Sequence, residues 1–117
     1  GASAKVLLAF MPEDKIEKWF ANTILQRFNE KTITDKEKLW EELQVIRRNG
    51  YAISYGERVK GAFSLSVPIL NSQKQVMAGI SIVIPIARIE DFEINRLIIL
   101  LKKGAEEIST LLGKKDM

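Results

Sequence analysis

AFSLSVPILNSQKQVMAGISIVIP, residues 62–85, is the stretch on which the fold turns. In its first arm Phe63, Leu65, Val67 and Ile69 are bulky, whereas the residues interleaved with them, Ala62, Ser64, Ser66 and Pro68, are small. After the polar NSQK the alternation resumes, with Val76, Ala78, Ile80, Ile82 and Ile84 in one set and Met77, Gly79, Ser81 and Val83 in the other. Successive side chains on a strand point to opposite faces, so this period of two predicts an antiparallel hairpin. One buried face requires the bulky sets to lie together, and pairing then brings the small sets together on the other face. Two explanations of that small face stand side by side. Small residues let a helix or a second subunit approach the sheet closely; or the missing volume is a cavity, since apolar walls with a few convergent hydroxyls are the usual makeup of a small-molecule pocket.

Upstream of the hairpin, Arg47 and Arg48 occupy a last helical turn and Gly50 stands just beyond it, where a left-handed residue closes a helix. YAISY (51–55) then reads as a short strand with Ser54, a small hydroxyl, near its end, and GERVKG (56–61) as a loop. That loop lacks the G-K-[ST] ending of a phosphate-binding loop. Within it Glu57 pairs with Arg58 or caps a turn, rather than performing chemistry. The helix that stops at Gly50 opens on a capping box, Thr34 to Glu37, and carries Leu39, Leu43 and Ile46 on one stripe. Before it come a short helix SAKVLLAF with Ser3 as N-cap, a second helix PEDKIEKWFAN, and a loop TILQRFNEKTI. Downstream, FEINRLIILLKKGAEEISTLLGKK is a long helix whose Ile94, Leu97, Ile98, Leu101, Ala105, Ile108, Leu111 and Leu112 form a broad apolar face. Gly104 in its middle predicts close packing there, and Gly113 a C-cap.

Helices, a strand, a hairpin and a helix make an α+β domain with a mainly antiparallel sheet flanked by helices, one domain over residues 1–117. Three strands are thin cover for this many helices, and an apolar helical pattern begins almost at Gly1; both suggest a fragment of something longer.

Several function classes are disfavoured. Cys and His are absent, which removes thiolate chemistry, the commonest general base and the commonest metal ligand. The acidic pairs Glu41/Glu42, Glu90/Asp91 and Glu106/Glu107 are adjacent in sequence and mostly on helix surfaces, so no metal or cofactor site and no enzyme is expected. The net charge of +3 comes from Lys and Arg scattered among acids, the pattern of solvated helix faces. The longest uncharged apolar run, residues 76–87, falls short of the roughly 20 residues that span a bilayer, and no signal peptide opens the chain. A cytoplasmic protein with no membrane contact is expected.

The combination of RRNGYA, then Glu57, Gly61, a small-residue strand reaching VPIL, a polar turn, VMAGISIVIP, Arg88 and a helix closing AEEISTLLG resembles the effector-binding domain of the IclR family of bacterial and archaeal transcription regulators. SAKVLLAFMPED is similar to that family's GKALLAFLPEE segment, and NEKTITDKEKLWEELQVIRRNGYA to its next stretch. The resemblance implies a two-part protein, a winged helix-turn-helix DNA-binding domain followed by a ligand-sensing domain of GAF-like or profilin-like fold. Residues 1–117 would be most of the second part, without the DNA-binding domain and the first sheet strands. It further implies a small-molecule effector, an organic acid or aromatic metabolite, in a pocket formed by Ala2 and Ser3 at the start of the first helix, Ser54, Ala62, Ser64, Ser81 and Val83. Some relatives carry an acid in place of Ser54 and a hydroxyl in place of Val83, so this pocket is the less polar. A homodimer or tetramer is implied, with DNA contacted only through the missing domain. The alternative is a dimerisation module whose small face is filled by side chains and binds no ligand.

Overall fold

The computed structural model describes residues 1–23, 35–56 and 60–113. The hairpin forms as its alternation requires: β2 (Ala62–Leu70) and β3 (Val76–Pro85) pair antiparallel, with Phe63 opposite Ile84, Ser64 opposite Val83, Ser66 opposite Ser81 and Pro68 opposite Gly79. Asn71 makes the turn. Its side-chain oxygen accepts from the Gln73 and Gln75 amides, both at 2.9 Å, and Lys74 takes the left-handed conformation at φ 64. The short strand β1 (Ala52–Tyr55) adds to the other side of β2, with Ser54 opposite Ser64 and Ala52 opposite Ser66. The sheet order is β1-β2-β3.

The backbone direction of each residue follows from two bonds. The Gly56 amide donates to the Ala62 carbonyl and the Ile86 amide to the Gly61 carbonyl, both at 2.8 Å. Even-numbered residues of β2 therefore turn their backbone groups towards β1 and odd-numbered ones towards β3. Pro68, which has no N–H, falls on the β1 side beyond the end of β1, where no ladder bond is lost. Leu70 faces the same way, and its carbonyl accepts the Ser109 hydroxyl.

The bulky face is covered by α4 (Ile94–Gly113), reached from β3 through a 3-10 turn over Ile86–Asp91. Phe63, Leu65, Ile84 and Ile98 form one buried cluster there, and Val67, Ile69 and Ala105 a second. On the small face lies α1 (Ala2–Ala9), behind which α2 (Glu13–Asn22) and α3 (Lys36–Asn49) complete a separate core of Val6, Ala9, Ile16, Leu39, Leu43, Ile46 and Ala52. Lys5, only 7% exposed, ties α1 to α3 through a 2.7 Å bond from its Nζ to Glu42 Oε1. Trp19, Phe20 and Trp40 pack edge to face at 5.2 and 5.8 Å, as core rather than as stacking platforms.

Helix α3 ends as its sequence dictates. Gly50 takes φ 79 and donates its amide to Ile46, while Lys102 of α4 donates to the Asn49 carbonyl at 2.7 Å and lies over the Tyr51 ring. Its start differs from expectation. Thr34, the anticipated cap, lies outside the described residues, and Asp35 is the N-cap, its carboxylate accepting from the Glu37 and Lys38 amides. Replacing it, Asp35→Ala, is expected to cost about 1 kcal/mol in urea unfolding. Two other expectations are corrected. Ser3 is not a cap: α1 begins at Ala2 with Gly1 at the N-cap and no side-chain capping bond. Gly104 is not closely packed within the chain, since a Cβ built there meets nothing within 4 Å. The expected loop is described only at Thr23, and residues 24–33 and Glu57 fall outside the described residues. Among the described residues no helix is long and apolar enough to cross a membrane.

Candidate ligand-binding site

Register arranges the small face in rows across the sheet. Ser54, Ser64 and Val83 form one row, Ala52, Ser66 and Ser81 the next, and Pro68 with Gly79 a third. All point to the side of α1, because side-chain direction alternates with residue parity. Phe10 lines the same groove as Pro68 and Leu70, and a Cβ at Gly79 would sit 3.6 Å from Val6 and 3.9 Å from Leu7. An eight-residue helix rises roughly 12 Å, so α1 runs back along β2 from the third row and its N-terminus comes to the second. Ala2 accordingly joins the same buried cluster as Ala52.

The small face thus has two parts. Beneath α1 the residues are small because a helix lies on them: Ala52 and Ser66 are buried, and the Ser66 and Ser81 hydroxyls bond each other at 2.5 Å. Past the helix N-terminus no described helix lies on the same face, which forms a shelf rising from a buried floor to an exposed rim. Ser54 is buried in its floor, Ala62 and Ser64 are half-buried, and Ser81 and Val83 lie at its exposed rim, Val83 being 65% exposed. The Ser54 and Ser64 hydroxyls bond no other described side chain. No buried side-chain oxygen lacks a partner among the described residues, so these hydroxyls reach the shelf's surface.

Of the seven residues the sequence singled out, the structure brings Ser54, Ala62, Ser64, Ser81 and Val83 onto one sheet face. Ala2 is buried at the start of α1 and Ser3 exposed beside it. The first amides of α1 carry the positive end of the helix dipole and have no side-chain cap, an arrangement suited to a carboxylate. The shelf itself offers hydroxyl donors and acceptors and the Val83 side chain, but no charge. Among the described residues no group of three acidic side chains is placed to hold a metal ion.

A second concavity, a groove of about 520 Å³, was not anticipated. It lies where β1 stops short of β2, lined by Phe10, Gly50, Pro68, Lys102 and Ser109 among others, and by none of the seven residues. Two of its polar groups are engaged within the protein, Lys102 by Asn49 and Ser109 by Leu70. The signal for the groove was the length mismatch between YAISY and AFSLSVPIL, together with a proline placed past the end of the shorter strand.

The family model described as bacterial transcriptional regulator IclR C-terminal matches residues 1–110. The chain belongs to this family. The resemblance read from the RRNGYA, VPIL and AEEISTLLG motifs is thereby borne out. Among curated relatives, the HTH-type transcriptional regulator KipR of Bacillus subtilis (strain 168) is 37% identical over 113 residues, covering 97% of this chain and 45% of KipR. The chain therefore spans about half the length of the curated relatives it matches. The Thermotoga maritima IclR crystal structure matches with a TM-score of 0.88 at 35% identity, over 96% of this chain and 45% of that one. A double mutant of the PobR transcription factor inducer-binding domain from Acinetobacter, solved as its 3-hydroxybenzoic acid complex, matches with a TM-score of 0.87 at 28% identity, over 95% of this chain and 64% of that one. The α+β fold expected from the hairpin is the fold of these IclR C-terminal domains.

Proposed function

We propose that these residues are the ligand-sensing and oligomerising part of an IclR-type transcription regulator acting in the cytoplasm, and that the shelf beyond α1 is its effector site. The observation that carries the reading is the row running from buried Ser54 through half-buried Ser64 to exposed Val83, beside a helix N-terminus with no side-chain cap, on a face the same strands close tightly two residues further on. In this reading Ser54 and Ser64 hydrogen-bond the effector, Ala62 and Val83 supply apolar contact, and the amides at Ala2 and Ser3 receive a carboxylate. Ser81, held by Ser66, fixes the rim.

The effector class is a small organic acid or an aromatic metabolite; the double mutant of the PobR inducer-binding domain, solved as its 3-hydroxybenzoic acid complex, is the relevant parallel. Binding acts on DNA through a separate helix-turn-helix domain, by favouring one arrangement of subunits in a homodimer or tetramer. Such a switch requires that the effector bind the two arrangements with different affinity. A dimerisation module that binds nothing is the alternative, and the packing beneath α1 suits it; the row rising to exposed Val83 does not.

The test is a thermal-shift screen of small aliphatic and aromatic carboxylates, 3-hydroxybenzoate included, on the wild type and on Ser64→Leu. A ligand present at 100 times its Kd stabilises by about 2.7 kcal/mol, an easily read shift. Ser64→Leu is expected to abolish that shift while changing the stability of the unliganded protein by less than about 0.5 kcal/mol, because the leucine projects into open space. A ligand whose shift survives Ser64→Leu binds elsewhere, and the shelf is then not its site.

A further inference from the structure

The groove beside Pro68 lies apart from the shelf, and four elements build it: Phe10 from the end of α1, Gly50 from the end of α3, Pro68 and Leu70 from β2, and Ala105 and Ser109 from α4. It exists because β2 outruns its neighbour. Beyond the Ala52–Ser66 pair no described strand adjoins β2 on that side. At the same end of β2 the pairing with β3 shifts register between Ile69 and Leu70, an irregularity that gathers at sheet edges and next to active sites, where it re-aims side chains. The volume of about 520 Å³ falls within the range of about 300 to 1,000 Å³ usual for small-molecule sites.

The charges around the groove point to a class of ligand. Lys74, Lys102 and Glu106 are the charged residues of its lining, two cations to one acid. Lys102 is held in place: its Nζ donates to the Asn49 carbonyl at 2.7 Å and stands 5.4 Å from the centre of the Tyr51 ring. An ammonium has three N–H donors, so two remain after that bond. Lys74 rises from the turn that Asn71 holds, and its side chain has no partner among the described residues. Glu106 lies one turn of α4 beyond Lys102, yet it forms an ion pair with neither lysine. Two unneutralised cations therefore border a hollow whose walls, Phe10, Val67, Pro68 and Leu70, are apolar.

We propose that this groove is a second small-molecule site, separate from the shelf, and that it takes a monocarboxylate with an apolar body. Lys74 and Lys102 receive the carboxylate, and the aliphatic or aromatic body lies against Phe10, Pro68 and Leu70. Such a ligand touches α1, α3, β2 and α4 at once, so its binding stabilises their docking on one another.

Isothermal titration calorimetry with sodium 4-phenylbutyrate tests this, on the whole polypeptide that contains residues 1–117 and in a Ser64→Leu background that takes the shelf out of competition. One site per chain is expected, with a Kd below about 1 mM. Lys74→Ala, a change on an exposed turn, is expected to weaken binding about 10-fold, the worth of a hydrogen bond to a charged group. Lys74→Arg, which keeps the charge, retains binding. Thr110→Trp fills the groove from the exposed side of α4 and abolishes it. The uncharged 4-phenylbutan-1-ol is expected to bind about 10-fold more weakly than the acid. No binding at about 1 mM probe, or an affinity that neither Lys74→Ala nor Thr110→Trp alters, overturns the proposal. So does binding to the wild type that disappears in the Ser64→Leu background, which assigns the probe to the shelf. Equal affinity for the alcohol overturns the assignment of an anion. Failure at the groove leaves the effector reading of the shelf standing.

Discussion

Ser66→Leu is expected to lower the free energy of unfolding by about 3 kcal/mol, the upper end of the usual cost of overpacking. Ser66 is wholly buried, its hydroxyl engaged with Ser81, and α1 lies across its row. A leucine there has no void to enter and must displace α1 or force its own side chain off a preferred rotamer. Ser64, two residues along the same strand and on the same face, stands half-buried in the row beyond α1; its leucine variant is expected to be nearly neutral. Urea denaturation of both variants decides the matter. Equal losses at the two positions show that the small face is packed throughout and eliminate the shelf as a site; equal neutrality shows that α1 is loosely docked.

The largest loss is expected from Phe63→Ala, about 3 to 5 kcal/mol by the same measurement. Phe63 is completely buried between Ile84 and α4 and meets the Tyr55 ring edge-on at 5.1 Å. It sits on the central strand of the sheet, where neither neighbour can shift into the vacated volume without breaking ladder bonds. A domain of this size is stable by about 5 to 15 kcal/mol in all, so the variant is expected to approach the threshold of folding. A loss below about 1 kcal/mol overturns the assignment of the β2–α4 layer as a tightly packed core.

Much of this was legible in residue order. The alternation over residues 62–85 dictated both strands and the segregation of bulky from small side chains, because a one-residue slip would turn every bulky side chain to the other face. Arg47, Arg48 and Gly50 marked a helix stop by local chemistry alone. The start of the same helix was read one residue early: Thr34 and Asp35 are both capping residues, and only the backbone conformation selects between them. Gly104 was misread for a deeper reason. A glycine signals that something approaches, or that nothing needs to be covered, and sequence does not say which.

The shared face of the candidate residues was legible, but not its division into covered and exposed parts. Ala62, Ser64, Ser81 and Val83 were placed on one face by parity and Ser54 was joined to them by the family resemblance; the register puts all five on that face. That Ser66 serves packing while Ser64, two residues away, belongs to the shelf depends on where the N-terminus of α1 comes to rest, and no periodicity carries that information. The groove beside Pro68 likewise arises only where a short strand ends against a long one.

By itself the sequence determined the hairpin strands, their faces, the helix stop at Gly50 and the family, because these follow from local backbone chemistry and a repeating pattern read along the chain. Which part of the small face is closed and where the groove beside Pro68 opens were decided only by the tertiary structure. Each depends on the distance between elements far apart in the chain, and on what solvent is left free to reach.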